Sequence, residues 1–516
     1  MQTISSTFLA RSRQSMRPLA WQCRMSFEKQ FDDAITFFTI GTSVIGGGDF
    51  IPGASGDVVQ EWDKYEYKDL SSRILDQNIT RQNEILSAIT FAMADIVLDN
   101  HDDYFTPGKG SEIDNYILPS RPVRLYSGFG NEVIPLFIGL TSGMPKIDEK
   151  AKTATFHCVD FMTSLMDKPL NESVLYTNVQ AKTILEGLFL LAGIDSVQLD
   201  FDNGFTIFPY IYFEKGDKLG KALQKIMDIE QGRIFMNEKG VICFRDRQNY
   251  EENSVYDFDA YNNIIDISTK TLDDVINVVE IKGKIRQLQP KQKYWEASEP
   301  ILVPANSSID IWADFEDPVT TADDPVYITS ATTSLFTVNT ESDGSGSNDG
   351  TSVTLSSSYL FAKSKKMTFA NSSSTPLYIT TLELFATPIK VISELYLREE
   401  DSASTDKYEE HVYTIENDFF QSETDAESVA LMILRDYSEY GGASQLDVKG
   451  CPALQLDDPI KVDIYNNISN YKIVKIIDGI SFPAQYKQIL TLRKYTPTTY
   501  FTIAESLIAG PDLIRP

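Results

Sequence analysis

The stretch from Arg121 to Leu170 confines the fold of this chain most tightly. Three short runs, RPVRLYSGF, VIPLFIGLTSGMPKID and KTATFHCVDFMTSLMDKPL, follow one another there, each rich in Val, Ile, Phe or Thr and bounded by Gly or Pro. A strand shows alternate side chains to opposite faces, whereas an amphipathic helix needs apolar residues three and four apart. The runs therefore read as strands, the last passing into a short helix near Asp160, whose carboxylate is placed to cap it.

With 516 residues the chain is too long for one hydrophobic core. At roughly 100–200 residues per domain it calls for about three or four units. The net charge of -28 and pI near 4.5 leave no basic stripe for nucleic-acid binding by counterion release. A negative wall can still line a conduit through which DNA slides without adsorbing. Cys23, Cys158, Cys243 and Cys451 are widely spaced, with no CxxC pair, and read as buried reduced thiols. No apolar run approaches the roughly 18 residues of a membrane span. The first 27 residues carry Arg11, Arg13, Arg17 and Arg24 and no acid, which suggests an arm docking on the acidic surface of a neighbouring subunit.

Along the chain, residues 1–56 read as this arm and a Gly-rich linker, and 57–176 as a first β domain. Residues 177–272 form an α+β module, in which NVQAKTILEGLFLLAGI has helical spacing. The run from Lys215 to Arg247 reads as a capped helix and a hairpin turning at Asn237 to Gly240. Residues 273–293 and 390–495 form a second β domain with a closing barrel, including a helix that Ser422 and Asp425 cap. Between them, 294–389 is rich in Ser, Thr and Asn and reads as an inserted β-sandwich. Its Trp295, Trp312, Phe315, Tyr327 and Phe336 read as core, with a sugar-stacking face as the alternative. Residues 496–516 are a C-terminal tail.

The loop VLDNHDDYFTPGKG invites a chemical reading. Its Asp99, Asn100, Asp102 and Asp103 are out of step with a calcium loop, and no glycine sits at the sharp turn. His101 has no nucleophile to serve, since no G-x-S-x-G elbow or reactive cysteine arrangement is present. Asx-type turns closed by Pro107-Gly108 account for all its residues. His157 and His411 lack a metal-ligand partner, and paired acids such as Asp457-Asp458 and Asp273-Asp274 are expected by chance among 74 acidic residues. No phosphate-binding or dinucleotide motif occurs, and the sequence calls for no cofactor, metal or catalytic residue.

Several segments, taken in order, resemble the tail hub proteins of long-tailed bacteriophages, whose fold is shared with contractile-tail hubs and secretion-spike proteins. NEILSAITFAMADIVLDNHDDYFTPG is similar to a strand ending in an Asn-x-Asp turn, and RPVRLYSGFGNEVIPLFIGLTSGM to the strand pair after it. Asp160 to Leu165 resembles a D-x-x-x-x-L helix start. FEKGDKLGKALQKIMDIEQGRIFMNEKGVICF resembles the helix-and-hairpin module, and KGCPALQLDDPIKVDI with YKIVKIIDGISF the closing barrel. The resemblance spans roughly Trp62 to Tyr495 outside the insertion, and Asp457 departs from its pattern.

It implies an α+β, mostly β, tail-hub fold with two β-barrel-like domains, an α+β module and an inserted sandwich. Asn100, Pro107, Gly128, Gly139, Asp160, Asp457 and Asp458 would be structural motif positions. The implied role is a non-enzymatic homotrimeric hub at the distal end of the virion tail, assembled in the host cytoplasm. Its implied partners are the tail tube or distal tail ring, the tape-measure protein, a receptor-binding or fibre protein and passing DNA. A host glycan at the inserted sandwich is a further possible partner, and a glycan-binding or glycan-degrading tail component is the alternative function.

Overall fold

The computed structural model describes residues 1–14, 17, 19–27, 65–82, 89–194, 196–247, 254–259, 263–269, 275–328, 332–439, 444–464, 467–481 and 485–494. The Gly-rich linker, Trp62, Asp273, Asp274 and the tail 496–516 lie outside them. The chain is mostly β with a minority of helix, and four hydrophobic cores organise it.

Two of the cores share one 14-stranded sheet. The first core gathers Cys23, Ile79, Ile96, Leu98, Leu125, Phe137 and Phe156. Strands Leu19–Met25, Ile74–Gln82, Phe91–Asp99, Pro122–Phe129, Glu132–Thr141 and Thr153–Val159 supply them. The second gathers Tyr256, Leu446, Val448, Ile460, Val462, Ile473 and Leu490. Its strands include Tyr256–Asp259, Ser444–Val448, Pro459–Ile464, Asn467–Ser481 and Gln485–Lys494. The two halves meet where Asn467–Ser481 pairs antiparallel with Ile74–Gln82, setting Ile477 opposite Thr80.

The third core is the α+β part. In helix Ala181–Leu191 the side chains of Ile184, Leu185, Leu188 and Phe189 are fully buried, one stripe at helical spacing. The helix ends at Gly193, whose positive φ lets Ile194 N–H turn back to the Phe189 carbonyl at 2.9 Å. Helix Leu219–Glu230 has no side-chain N-cap at Lys218. Its first amides instead donate across the fold, Leu219 N–H to the Lys168 carbonyl (2.9 Å) and Gly220 N–H to that of Met166 (3.0 Å). Backbone from another segment thus satisfies the open helix end. Helix Glu423–Tyr437 does carry its cap, Ser422 accepting from Asp425 N–H.

The fourth core lies between a three-stranded sheet and part of an eight-stranded one. Strand Leu377–Glu400 crosses the expected boundary at residue 389 without a break. Its first part pairs with strands of the insertion and its second with Val278–Leu288. Val278–Leu288 also pairs with Val412–Glu416, and Val279, Ile281, Leu395 and Ile415 pack into the α+β core. Conversely, strands Tyr256–Asp259 and Ile264–Thr269 join the closing strands. Pairing therefore distributes 256–269 and 278–416 differently from a division by sequence order.

The N-terminal segment folds on its own chain rather than standing off as an arm. Helix Ser6–Ser12 buries Phe8 completely, edge-on to Phe129 at 5.0 Å, and strand Leu19–Met25 pairs with Pro122–Phe129. Arg17 donates to the carbonyls of Lys449 (2.6 Å), Gly450 (2.8 Å) and Tyr486 (3.2 Å), and Arg11 to that of Phe129 (3.0 Å). These donors meet backbone carbonyls of the same chain, and Arg11 also acts on the carboxylate of Glu132.

Candidate functional site: a buried ionic joint

A buried polar network sits where the two halves of the large sheet meet the α+β part. Arg81, on strand Ile74–Gln82, donates to Asp478 (2.6 Å) and to Glu238 (2.9 Å) at the turn of the hairpin formed by Arg233–Met236 and Ile242–Arg245. Asp478 is wholly buried on the facing strand. Its other oxygen accepts from the Tyr486 hydroxyl (2.6 Å) and the Gln488 amide (2.7 Å). Gln488 also exchanges a reciprocal pair of bonds with the backbone of Cys451, at 2.8 and 3.0 Å. Gln455 extends the network from Glu238 (2.9 Å) to Asp458 (2.7 Å), which also accepts the α-ammonium of Met1 at 2.5 Å.

Electrostatics act on Arg81 and Tyr486 in opposite senses of charge, keeping the first charged and the second neutral. Burial pulls Arg81 down, but Asp478 and Glu238 beside it more than reverse that and hold its pKa above the ordinary value. Burial, reinforced by Asp478, pushes the Tyr486 phenol well above its usual range. Asp478 is thus saturated by a cation and two neutral donors, an arrangement that orients three chain segments.

The residues singled out from sequence do not converge on one site. Asn100 is buried and organises its loop, accepting from Phe105 N–H (2.8 Å) and donating to the Thr106 hydroxyl (2.9 Å). Pro107 leads into a turn that Asp114 closes by accepting from Gly108 N–H (2.6 Å) and Gly110 N–H (2.9 Å). His101 contacts Asp99 with its ring 74% exposed. Gly128 and Gly139 sit where strands approach closely: a Cβ would lie 2.0 Å from the Glu132 carbonyl oxygen at the first and 2.3 Å from that of Val159 at the second.

Asp160 caps helix Phe161–Leu165 through Thr163 N–H (3.1 Å), and its second oxygen accepts from Ala92 N–H (2.7 Å). Burial raises its pKa to about 6 against the opposing pull of these bonds. Asp457 takes a positive φ and pairs with Arg233, while Asp458 belongs to the joint. Only that last residue therefore touches the network.

Among the described residues no group of three or more His, Cys, Asp or Glu could hold a metal ion, and no helix is long and apolar enough to cross a membrane. All four cysteines are free and buried, and burial pushes the Cys23 and Cys243 thiols up to about 12 and Cys451 to about 11. Of the five aromatics named in the insertion, Phe315 and Phe336 are buried and Trp295 and Tyr327 pack against the same core, but Trp312 is 49% exposed. The joint itself was missed by sequence reasoning. Its available signal was Asp478 inside KIVKIIDGI, a charge interrupting an apolar strand.

No protein-family model matches the chain, and no curated protein matches it in sequence. Among solved structures it is similar to the 43 kDa tail protein of prophage MuSo2 from Shewanella oneidensis, with 10% identity, 83% of this chain and 95% of that chain covered and a TM-score of 0.45. It is similar to the tail protein from Neisseria meningitidis MC58 (10% identity, 84% and 94% covered, TM-score 0.46). It is also similar to the Escherichia coli c3393 protein, a component of the type VI secretion system (9% identity, 82% and 74% covered, TM-score 0.35). These likenesses carry no residue role into this chain.

Proposed function

We propose that this chain is a structural tail-tip protein, a hub that closes the distal end of a bacteriophage tail as a homotrimer. The observation that carries the reading is the doubling of the β architecture. Two β units, each with its own core, hang on one continuous 14-stranded sheet. Read as two barrel-like domains, they let three copies present six β units to a sixfold tail-tube or distal-tail ring. The buried joint supports this, because a presenting surface works only if the two units hold a fixed relative orientation. The ordered hub-like segments spanning roughly Trp62 to Tyr495 outside the insertion point the same way.

In this reading the tape-measure protein ends against the ring, and a receptor-binding or fibre protein mounts on the hub. The charge of -28 suits a channel that passes DNA without retaining it. The motif positions Asn100, Pro107, Gly128, Gly139, Asp160, Asp457 and Asp458 act as structural punctuation rather than chemistry. Light scattering on the purified chain tests the assembly: the reading expects three times 58.0 kDa. A strictly monomeric chain at high micromolar concentration, together with failure to bind tail-tube rings, would overturn it.

A further inference from the structure

One face of the three-stranded sheet formed by Ser307–Asp314, Ser364–Asn371 and Val353–Leu360 is turned away from the fourth core. Alternation sends Ile311, Ala313, Met367 and Phe369 inward, so their neighbours in the strands face out. Trp312, Lys366 and Tyr359 form one cross-strand row. Trp312 is 49% and Tyr359 61% exposed. Phe361 is stacked on Trp312, ring centroids 5.6 Å apart and planes at 20°, and the Lys366 ammonium lies 5.9 Å from the centroid of the same Trp312 ring. On the next outward rung, Asp310 accepts from Lys366 (2.8 Å) and from the Thr368 hydroxyl (2.7 Å).

We propose that this face binds a neutral glycan, with Trp312, Phe361 and Tyr359 stacking on pyranose rings and Asp310, Lys366 and Thr368 receiving their hydroxyls. The electron-rich faces of the rings complement the partly positive C–H face of a sugar. The polar trio offers donors and acceptors together, which hydroxyl groups need. Trp312 and Tyr359 stand on strands either side of the central one, about 10 Å apart, the reach of a short run of linked sugars.

Size argues against a protein partner. Three strands about 4.8 Å apart, each eight residues long at about 3.4 Å per residue, give a face of roughly 14 by 27 Å, about 400 Å². A stable protein interface needs about 800 Å² from each partner. Charge argues against an anionic ligand, since the chain carries -28 and Lys366 is already neutralised by Asp310. The inference does not depend on the chain being a hub.

The test uses the full chain and soluble oligosaccharides of glucose, galactose and N-acetylglucosamine, followed by tryptophan fluorescence and calorimetry. Trp312→Ala and Tyr359→Ala should each weaken binding about tenfold or more, and Trp312→Phe should retain part of it. Circular dichroism and the melting curve should match the parent chain, because both side chains are exposed. Absence of binding at millimolar sugar, equal binding by Trp312→Ala, or binding confined to sulfated sugars would each overturn the proposal. So would Trp312-dependent self-association of the chain without sugar binding.

Discussion

Replacing Asp478 by Asn tests whether the buried joint sets the relation of the two β units. Asn keeps one oxygen for Tyr486 and Gln488 but turns an amide donor, or no charge, toward Arg81. Arg81 is 5% exposed and retains only Glu238, itself close to buried. Removing one partner of a buried ion pair costs about 3–5 kcal/mol. Because Glu238 still compensates part of the guanidinium charge, the lower end applies, roughly 3 kcal/mol. That is a large fraction of the roughly 5–15 kcal/mol that holds a domain together.

The assay is hydrogen exchange of strands Asn467–Ser481 and Gln485–Lys494 in native buffer, beside the urea midpoint read by near-ultraviolet dichroism. Arg81→Met combined with Asp478→Leu removes both charges, so its cost should fall well short of the sum of the single losses. A loss under about 1 kcal/mol for Asp478→Asn, or additivity in the double variant, would refute the reasoning.

Phe8→Ala should cost about 3–5 kcal/mol, because the ring is fully buried within its own chain; a near-neutral result in thermal melts would restore the reading of an arm that docks on a neighbouring subunit. Asp160 has a folded pKa of about 6, above its unfolded value, so the native state binds the extra proton and stability from this group falls as pH rises from about 4 to 7. Relative to Asp160→Asn, the parent chain should therefore lose up to about 3 kcal/mol across that window, and parallel stability curves would contradict the buried charge. His101→Ala should change stability by less than about 0.5 kcal/mol and leave tail assembly intact. Loss of infectivity with normal assembly would mark the loop as functional.

Much of the local structure was legible because its causes are local. An apolar run stopped by a polar cluster marked Phe91–Asp99, Gly and Pro turns bounded Pro122–Phe129, Ser422 marked a helix start, and Asn237 marked a hairpin turn, where its side chain accepts from Lys239 N–H and Val241 N–H at 3.0 Å each. What depends on distant partners was hidden. Leu377–Glu400 has no internal break, so nothing in its sequence says that it serves two sheets. Lys218 has no capping oxygen because the Met166 and Lys168 carbonyls replace it. The arginines of the first 27 residues were read against acidic charge, yet Arg17 donates to backbone carbonyls of its own chain at Ser12, Lys449, Gly450 and Tyr486. Asn100 was recognised as a turn residue, whereas Arg81, Glu238 and Asp478 come together only through pairing of strands nearly 400 positions apart, a separation of 397 between Arg81 and Asp478.

The proposal that three copies close a tail tip is tested most directly by a reconstruction of intact particles with this chain carrying a bulky fused label. Density for three labels in a ring at the distal end of the tail is the predicted result. Labels along the tail shaft, on the head, or absent from infectious particles would contradict it.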